Sequence, residues 1–361
     1  MTGSPSLQFW APPLRLSPDR IIDWARKVES DGWDGLGFSD TQCLAPDPYV
    51  SLAAAATATN QLLLGPTVTN TVTRHPSVLA NSIASIDALS NGRAVLGVGS
   101  GDSALAYIGL PPPSLGQFER SLSAIQRYLR NEQVPPDLLA GWTEKDGAGP
   151  VAGPAKVESS LRWLAVDHHK VPVDVAASGP RVIALAARHA ERVTFGLGAD
   201  SARLQWAIDL AMHARTNAGM DSDHWFLGAT VIVVPGEDIQ KARKLAAGSV
   251  AAHARMSVIS GKTAAGTSAR DQVVYESLKR TYDMGSHGAM QGAHAVGIPD
   301  EFIDNFAIVG PVSGCIERFR ELIGLGINRF SVRLGSIDMP ADERDRIYKA
   351  VTNTVIPALR G

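Results

Sequence analysis

Short polar and glycine-rich runs stand at three points of this chain where chemistry is possible. Ser39-Asp40-Thr41 places a carboxylate beside a hydroxyl, residues 67–70 end a β-branched run at Asn70, and residues 97–103 form a glycine-rich turn that carries Asp102. A carboxylate accepts or releases protons, and glycine lets the backbone approach a flat ligand closely. These residue types favour proton transfer beside a planar cofactor.

The candidate catalytic residues are Asp102, Asp40 and Thr41. Asp102 is the preferred general acid, because its turn combines close backbone approach with a carboxylate. Each aspartate has a plainer interpretation as the cap of a helix or turn. The glycine-rich turn is also a weak signal by itself, since its spacing differs from the G-x-G-x-x-G of a dinucleotide-binding fold.

Candidate ligand-binding residues fall into groups at the predicted strand ends. Hydroxyl and amide groups near Asn70 can bond a flat ligand, although a plain strand with an Asn turn is the alternative. Small residues before Pro180 open a helix whose N-terminus suits an anion such as phosphate, and Arg181 adds positive charge there, unless it is an ordinary surface residue. The full set is Asp40, Thr67, Val68, Thr69, Asn70, Gly99, Ser100, Gly101, Ala176, Ala177, Ser178, Gly179, Pro180 and Arg181.

Metal binding and nucleophilic catalysis are not indicated. The nine histidines show no H-x-x-x-H spacing, and Cys43 and Cys315 have neither the spacing of a zinc site nor the number for a disulfide framework. The motifs of a hydrolase nucleophile elbow and of a phosphate-binding loop are missing as well. The run Arg74-His75-Pro76 is interpreted as the start of a helix, with His75 either orienting nearby loops or contacting ligand.

Composition indicates an ordinary, water-soluble and mildly acidic protein. The chain has 361 residues, is 45% hydrophobic and 19% charged and carries a net charge of -2, so nucleic acid is not an expected partner. No window approaches the roughly 18 apolar residues of a spanning helix, and residues 1–5 lack the features of a signal peptide. We therefore expect no membrane association and a cytoplasmic location.

Eight predicted strands alternate with helices and position these runs. Such alternation implies parallel strands with right-handed crossovers, and eight units close into a (β/α)8 barrel, with a doubly wound open sheet as the alternative. Barrel enzymes carry their chemistry at the C-terminal ends of the strands, where all the runs fall. The predicted strands begin at Leu7, Trp33, Gln61, Arg93, Val171, Arg192, Phe226 and Phe330.

Two stretches interrupt this alternation within what is otherwise a single domain over residues 1–361. The stretches of about 132–170 and about 256–304 are rich in glycine, proline or polar side chains, and we interpret them as insertions after strands four and seven. The second insertion contains one predicted helix, around residues 273–282.

The motifs of this chain resemble those of the luciferase-like flavin and deazaflavin oxidoreductases. Within them, they are similar to the coenzyme F420-dependent branch that includes methylenetetrahydromethanopterin reductase. The resemblance spans most of the chain but not the two insertions. It rests on Gly37-Phe-Ser-Asp40, Gly65-Pro-Thr-Val-Thr-Asn70, Arg74-His75-Pro76, Leu89-Ser-Asn-Gly-Arg93, Gly97-Val-Gly-Ser-Gly-Asp102, Ala177-Ser-Gly-Pro180 and Phe306-Ala-Ile-Val-Gly310.

The resemblance implies a TIM barrel with a flavin-like ring in its mouth, supported by a non-proline cis peptide bond at Thr67-Val68. It also implies that the cofactor phosphate lies near residues 178–181 and that Asp40 lies over the cofactor. Asp102 would take the place of an acidic catalytic residue in a related sugar-phosphate dehydrogenase. Homodimerisation through barrel helices is typical of the family.

Two departures narrow the function that the resemblance implies. Thr41 stands where relatives often carry a histidine, and Ala199 stands where the sugar-phosphate dehydrogenase has a lysine, which argues against a phosphorylated sugar. The implied activity is hydride transfer between coenzyme F420 and an organic substrate. An FMN-dependent two-component monooxygenase and a non-enzymatic flavin or deazaflavin carrier are the alternatives.

Overall fold

The structure is a computed structural model that describes residues 6–12, 16–139, 159–221, 225–259 and 264–361. Parts of the two expected insertions, residues 140–158 and 260–263, therefore lie outside the described residues. The backbone of Asp102 is described, but its side chain is not.

Ten parallel strands form the sheet at the centre of the protein. Hydrogen-bonded neighbours follow the order β3-β2-β1-β10-β8-β7-β6-β5-β4, and β9 pairs with β8 outside this path. The bonds Leu64 N–H to Arg93 O and Val95 N–H to Leu64 O join the two ends of the path. The sheet thus closes on itself, which confirms the predicted barrel over the open sheet. The strands are β1 (Gln8–Ala11), β2 (Gly35–Phe38), β3 (Leu63–Pro66), β4 (Thr69–Asn70), β5 (Leu96–Gly99), β6 (Val173–Ala177), β7 (Arg192–Phe195), β8 (Phe226–Pro235), β9 (Ile308–Gly310) and β10 (Arg329–Arg333).

The third barrel strand differs from the continuous strand that was expected over residues 61–69. It is divided into β3 and β4, and the peptide bond Thr67-Val68 between them is cis, as the family resemblance implied. The prediction of eight strands was also one short, because β9 extends the sheet beside β8. With β3 and β4 taken together, eight strands make the barrel wall.

Helices surround the barrel and cover its mouth. The helical segment that closes the chain contains a π-helical turn at Val351–Val355. Among the residues that the structure describes, no helix combines the length and the apolar character needed to cross a membrane. The α-helices are α1 (Ile21–Ser30), α2 (Pro48–Ala58), α3 (Pro76–Ser90), α4 (Asp102–Tyr107), α5 (Leu115–Leu129), α6 (Pro180–His189), α7 (Ser201–Asn217), α8 (Ile239–Ala254), α9 (Ala269–Thr281), α10 (Ala293–Val296), α11 (Asp300–Phe306), α12 (Val312–Gly324), α13 (Ala341–Ala350) and α14 (Ile356–Arg360).

The floor of the barrel contains polar and aromatic groups where such barrels usually carry branched aliphatic side chains. Arg329 of β10 forms an ion pair with Asp174 of β6, and each residue is 3% exposed. Since β10 and β6 are not neighbours in the sheet, this pair crosses the barrel interior. Thr194 Oγ1 donates a further hydrogen bond to this carboxylate, at 2.9 Å from Asp174 Oδ1.

Trp10 lies against this ion pair, and the close packing around it restricts which side chains fit on the neighbouring strands. The Arg329 guanidinium carbon is 4.2 Å from the indole centroid, a cation–π distance. A Cβ atom at Gly35 would lie 2.5 Å from the indole ring, and one at Gly65 would lie 2.1 Å from Val95 O. Any side chain larger than glycine at these positions would therefore displace the indole or a neighbouring strand.

Replacing Asp174 with alanine leaves the buried guanidinium groups of Arg192 and Arg329 without their nearby anion. We expect the free energy of unfolding to fall by about 3–5 kcal/mol, the usual cost of breaking a buried ion pair from one side. Urea unfolding at pH 7 measures the change. The matched control is Asp167→Ala at an exposed position, where a change within about 0.5 kcal/mol is expected. Equal effects in the two variants would contradict the role assigned to the pair.

Candidate active site

A cavity of about 660 Å³ opens at the C-terminal ends of the barrel strands. It brings together residues from four of the strand ends that the sequence singled out. Thr69, Pro180 and Arg181 do not contribute to its lining, because Thr69 is fully buried behind it and the other two are exposed outside it. The sequence-predicted residues that line the cavity are Asp40, Thr41, Thr67, Val68, Asn70, Gly99, Ser100, Gly101, Ala176, Ala177, Ser178 and Gly179.

A backbone bulge at Thr67 and Val68 forms one wall of the cavity. Glycines pack around it: a Cβ atom at Gly37 would lie 2.2 Å from Thr67 Cγ2, and one at Gly97 would lie 2.1 Å from Pro66 O. The Cβ of a residue at Gly99 would lie 3.1 Å from Val68 Cγ2. The glycine-rich turn was expected to let a planar group approach the backbone. Packing against the protein's own backbone at Pro66 also requires glycine at position 97, and contact with Val68 leaves little room beside Gly99.

Three buried polar atoms beside the bulge have no hydrogen-bond partner within the described residues. They are Thr67 Oγ1, Asn70 Nδ2 and Ser103 Oγ, all on residues that line the cavity. The other side-chain atom of Asn70, Oδ1, accepts from the amides of Val72 at 3.0 Å and Thr73 at 2.9 Å, so the amide orientation is fixed. Unpaired buried polar atoms are costly. A flat heteroaromatic group with carbonyl and ring-nitrogen atoms would satisfy them, so the cavity fits such a cofactor.

Asp40 is 2% exposed and its carboxylate oxygens are already engaged. Oδ2 accepts from Thr69 Oγ1 at 2.6 Å and from Arg74 Nε at 2.9 Å, and Oδ1 accepts from Gln42 Nε2 at 2.8 Å. Sequence reasoning did not find Arg74 as the partner of this carboxylate. The contacts favour a positioning role for Asp40, since both of its carboxylate oxygens are occupied by hydrogen bonds within the protein.

Arg74 also joins this network to the start of α2. Its Nη2 lies 2.7 Å from Asp47 Oδ2, and Asp47 caps α2 by accepting from the amides of Tyr49 and Val50. Burial would raise the pKa of Asp47, but its bonds to Arg74 and to the two amides outweigh burial and lower the pKa. The loops after β2 and β4 are thereby held together on one side of the mouth.

His75 is the N-cap of α3 and not a lining residue of the cavity. Its Nδ1 accepts from the amide of Ser77 at 3.2 Å, and burial lowers its pKa. This geometry supports the interpretation of Arg74-His75-Pro76 as the start of a helix.

The opposite wall comes from residues that sequence reasoning missed. The loop after β10 is bonded to α8: Ser336 N–H donates to Leu245 O at 2.7 Å, and Ser249 Oγ donates to Gly335 O at 2.6 Å. The segment before α10 joins the same loop through Ile337 N–H and Gly288 O, 3.0 Å apart. The missed lining residues include Ser249, His253, Met256, His287, Arg333, Ser336 and Arg344. Applying the strand-end argument to the eighth barrel strand would have identified Arg333.

Close contact between α8 and the second interrupting stretch depends on Gly248. A Cβ atom there would lie 2.4 Å from the carbonyl carbon of Ala289. The segment around Gly288 and Ala289 can therefore lie directly on the helix. This contact brings residues of the 256–304 stretch to the cavity.

His253 projects from the last turn of α8 into the cavity lining. Its Nδ1–H donates to Ser249 O at 2.8 Å, so the neutral ring presents Nε2 as an acceptor. Burial and the positive charge of Arg333 lower the pKa of His253 to about 4. The imidazole is consequently neutral at pH 7.

The strand end at β6 has the form expected of an anion site, and the one at β7 does not resemble a sugar-phosphate site. Gly179 is the N-cap of α6 and a Cβ atom there would meet open space. Ala199 is fully buried, and its N–H donates to Phe306 O at 2.8 Å. Phe306 therefore packs directly against this strand end, with its ring also close to Gly198.

Comparison with known proteins gives a consistent family match. A family model described as luciferase-like monooxygenase matches residues 5–329. The 5,10-methylenetetrahydromethanopterin reductase of Methanolobus tindarius is 26% identical over 314 residues, which cover 86% of this chain and 88% of that protein. The F420-dependent glucose-6-phosphate dehydrogenase of Beutenbergia cavernae is 32% identical over 197 residues, which cover 50% of this chain and 54% of that protein.

A solved structure shares the fold across the whole length. The coenzyme F420-dependent tetrahydromethanopterin reductase of Methanopyrus kandleri superposes with a TM-score of 0.71 at 21% identity, covering 99% of this chain and 100% of that one. The barrel fold of this chain is therefore shared with a solved structure.

The depressed pKa of His253 makes stability depend on pH. Between its ordinary pKa of about 6.5 and the folded value of about 4, the unfolded chain binds a proton that the folded protein does not, so the free energy of unfolding falls as the pH falls. We expect His253→Gln to flatten this decline, by about 3 kcal/mol at most. Urea unfolding at pH 7, 6 and 5 measures it. The exposed His213→Gln serves as control, and superimposable profiles for His253→Gln and the parent protein would refute the assignment.

Proposed function

Because the chain belongs to the luciferase-like monooxygenase family, we propose that it transfers a hydride between coenzyme F420 and an organic substrate. The observation that carries the proposal is the group of unpartnered polar atoms on Thr67, Asn70 and Ser103, next to a cis peptide bond in a cavity at the strand ends. The name of the relative from Beutenbergia cavernae, an F420-dependent dehydrogenase, supports F420 as the cofactor.

The residues that would hold the coenzyme lie on two sides of the mouth. The bulge at Thr67 and Val68 and the amide of Asn70 would support and bond the ring, and Ser178 and Gly179 at the start of α6 would bind the phosphate. When bound, the deazaflavin ring supplies a carbon that accepts or donates a hydride. In the proposal, Gly99, Ser100, Gly101, Ala176 and Ala177 shape the space between ring and phosphate, with Pro180 and Arg181 outside it.

The chain's own side chains would position the reactants and move one proton. Asp40, held by Arg74, fixes the loops that flank the ring, and the Thr41 hydroxyl next to it can bond the substrate. We propose Asp102 as the residue whose carboxyl group gives a proton to the substrate, or takes one from it, as the hydride moves. Positioning supplies most of the rate enhancement in such a reaction, and proton transfer adds about 10²–10⁴-fold.

An FMN-dependent monooxygenase is the second candidate, favoured by the description of the family itself. It would use the same cavity with a different ring. A non-enzymatic carrier is set aside, because the matched relatives are enzymes.

Titration with the two cofactors separates the main candidates. We expect quenching of F420 fluorescence at micromolar protein and weaker binding of FMN. Asn70→Asp keeps the acceptor for the amides of Val72 and Thr73 but removes the unpartnered N–H donor, so F420 should bind about tenfold more weakly. Asn217→Asp at an exposed site is the matched control. Preferential micromolar binding of FMN would overturn the choice of F420.

The proton-transfer role is tested by Asp102→Asn. Screening the oxidation of reduced F420 against imines, enones and nitroaromatics first provides a substrate. We then expect kcat to fall by about 10²–10⁴-fold with the Kd for F420 unchanged. Asp167→Asn, on the surface, is the control for the loss of one charge. Unchanged turnover together with unchanged binding would exclude a catalytic role for Asp102.

A further inference from the structure

Positive charges inside the barrel outnumber the negative charges that face them. Within the described strands, the interior holds Arg192, Arg329 and Arg333. Asp174 forms an ion pair with Arg329, and Arg192 Nη1 donates to Gln8 Oε1 at 3.2 Å. Arg329 and Arg333 are four residues apart on β10, so both side chains point to the same face of the strand. Asp174 is paired with Arg329, which leaves Arg333 above it uncompensated.

Arg333 lines the cavity but has almost no bonds to the protein. Its one hydrogen bond, from Nη1 to Val332 O, is 3.5 Å long, and no carboxylate of the described residues lies within ion-pair distance. Burial and the charge of Arg329 lower the pKa of Arg333 to about 10, so the guanidinium stays charged at pH 7. A charge taken out of water without a partner is costly.

The other charged groups on the described lining do not compensate it. Asp40 is committed to Arg74 across the cavity, and His253 beside Arg333 is neutral. Arg344 adds a second positive charge, with its Nη2 donating to the carbonyls of Ile337 at 2.8 Å and Met339 at 3.3 Å. This wall of the cavity therefore carries two cations, and most donors of Arg333 are not used by the described residues.

The backbone of Arg333 is held in place by β10, which pairs with β8, and by the loop that follows it. That loop is bonded to α8 through Ser336 and Ser249, and Gly248 N–H donates to Ser336 Oγ at 3.0 Å. A guanidinium offers a planar pair of donors that matches the oxygens of a carboxylate or phosphate.

We propose that Arg333 binds an oxyanion of the substrate, so that the organic substrate of this chain is an acid carrying a carboxylate or phosphate group. The identification of the anion as a substrate rests on the proposed function. The binding of an anion by Arg333 does not itself require the cofactor. It assigns the substrate to the wall formed by β10 and α8, across the cavity from the bulge at Thr67 and Val68.

Calorimetric titration with small aromatic probes tests the proposal on the purified protein. Benzoate and phenyl phosphate carry the two oxyanions, and benzamide is a neutral analogue. We expect at least one anion to bind ten times more tightly than benzamide, with Arg333→Met reducing its affinity at least tenfold and leaving benzamide unchanged. Anions that bind no better than benzamide would overturn the proposal, as would an Arg333→Met variant with the parent's affinity.

Two further variants keep the test decisive. Arg26→Met removes an exposed arginine and should bind the anions as the parent does. If Arg333→Met does not fold, as judged by its melting temperature, Arg333→Lys keeps the charge but removes the planar pair of donors. We expect it to bind the anions about three- to tenfold more weakly, and equal binding would overturn the proposal.

Titration with F420 distinguishes a substrate anion from the anionic part of the coenzyme. We expect Arg333→Met and Arg333→Lys to bind F420 as the parent does. Weaker F420 binding with unchanged benzoate binding would assign Arg333 to the cofactor and overturn the proposal. If the parent protein does not bind F420 but still binds anions through Arg333, the proposed function fails and the anion site stands.

Discussion

The ion pair between Asp174 and Arg329 is the constraint on which the rest of the barrel depends. Both groups are inside a closed sheet, so their charges can be stabilised only by each other and by the polar side chains around them. Trp10 packs on the guanidinium, and glycine at position 35 makes room for the indole. The lower barrel is thereby filled, and the cavity of about 660 Å³ lies above it, at the strand ends.

That arrangement gives the two walls of the cavity different chemical characters. The wall at β3 and β4 is backbone and small polar groups, held by glycines that tolerate the bulge at Thr67 and Val68. The wall at β10 and α8 carries fixed arginine and histidine side chains. A flat neutral ring suits the first wall, whereas a charged group suits the second, so one cavity can orient two reactants against each other.

The sequence allowed the barrel and much of the first wall to be predicted, because both depend on local patterns. Strand and helix periodicity, the cis bond at Thr67-Val68 and the glycine-rich turn could all be read from neighbouring residues or from family motifs. The partner of Asp40 could not, since Arg74 is 34 positions away and its identity as an ion pair depends on how two loops meet. The second wall was missed for the same reason: Arg333, His253 and the bonds between Ser336 and α8 join parts of the chain that no motif connects.

The contact at Gly248 has a consequence for how such an enzyme can diversify. One glycine lets a segment outside the barrel rest on α8 and reach the cavity, while the strands beneath it keep their own hydrogen bonds. Residues in that segment can therefore change without altering the support of the ring-binding wall. The molecule is modular in this sense: the hydrogen-bonded strands and the segment that rests on α8 can accept substitutions independently of each other.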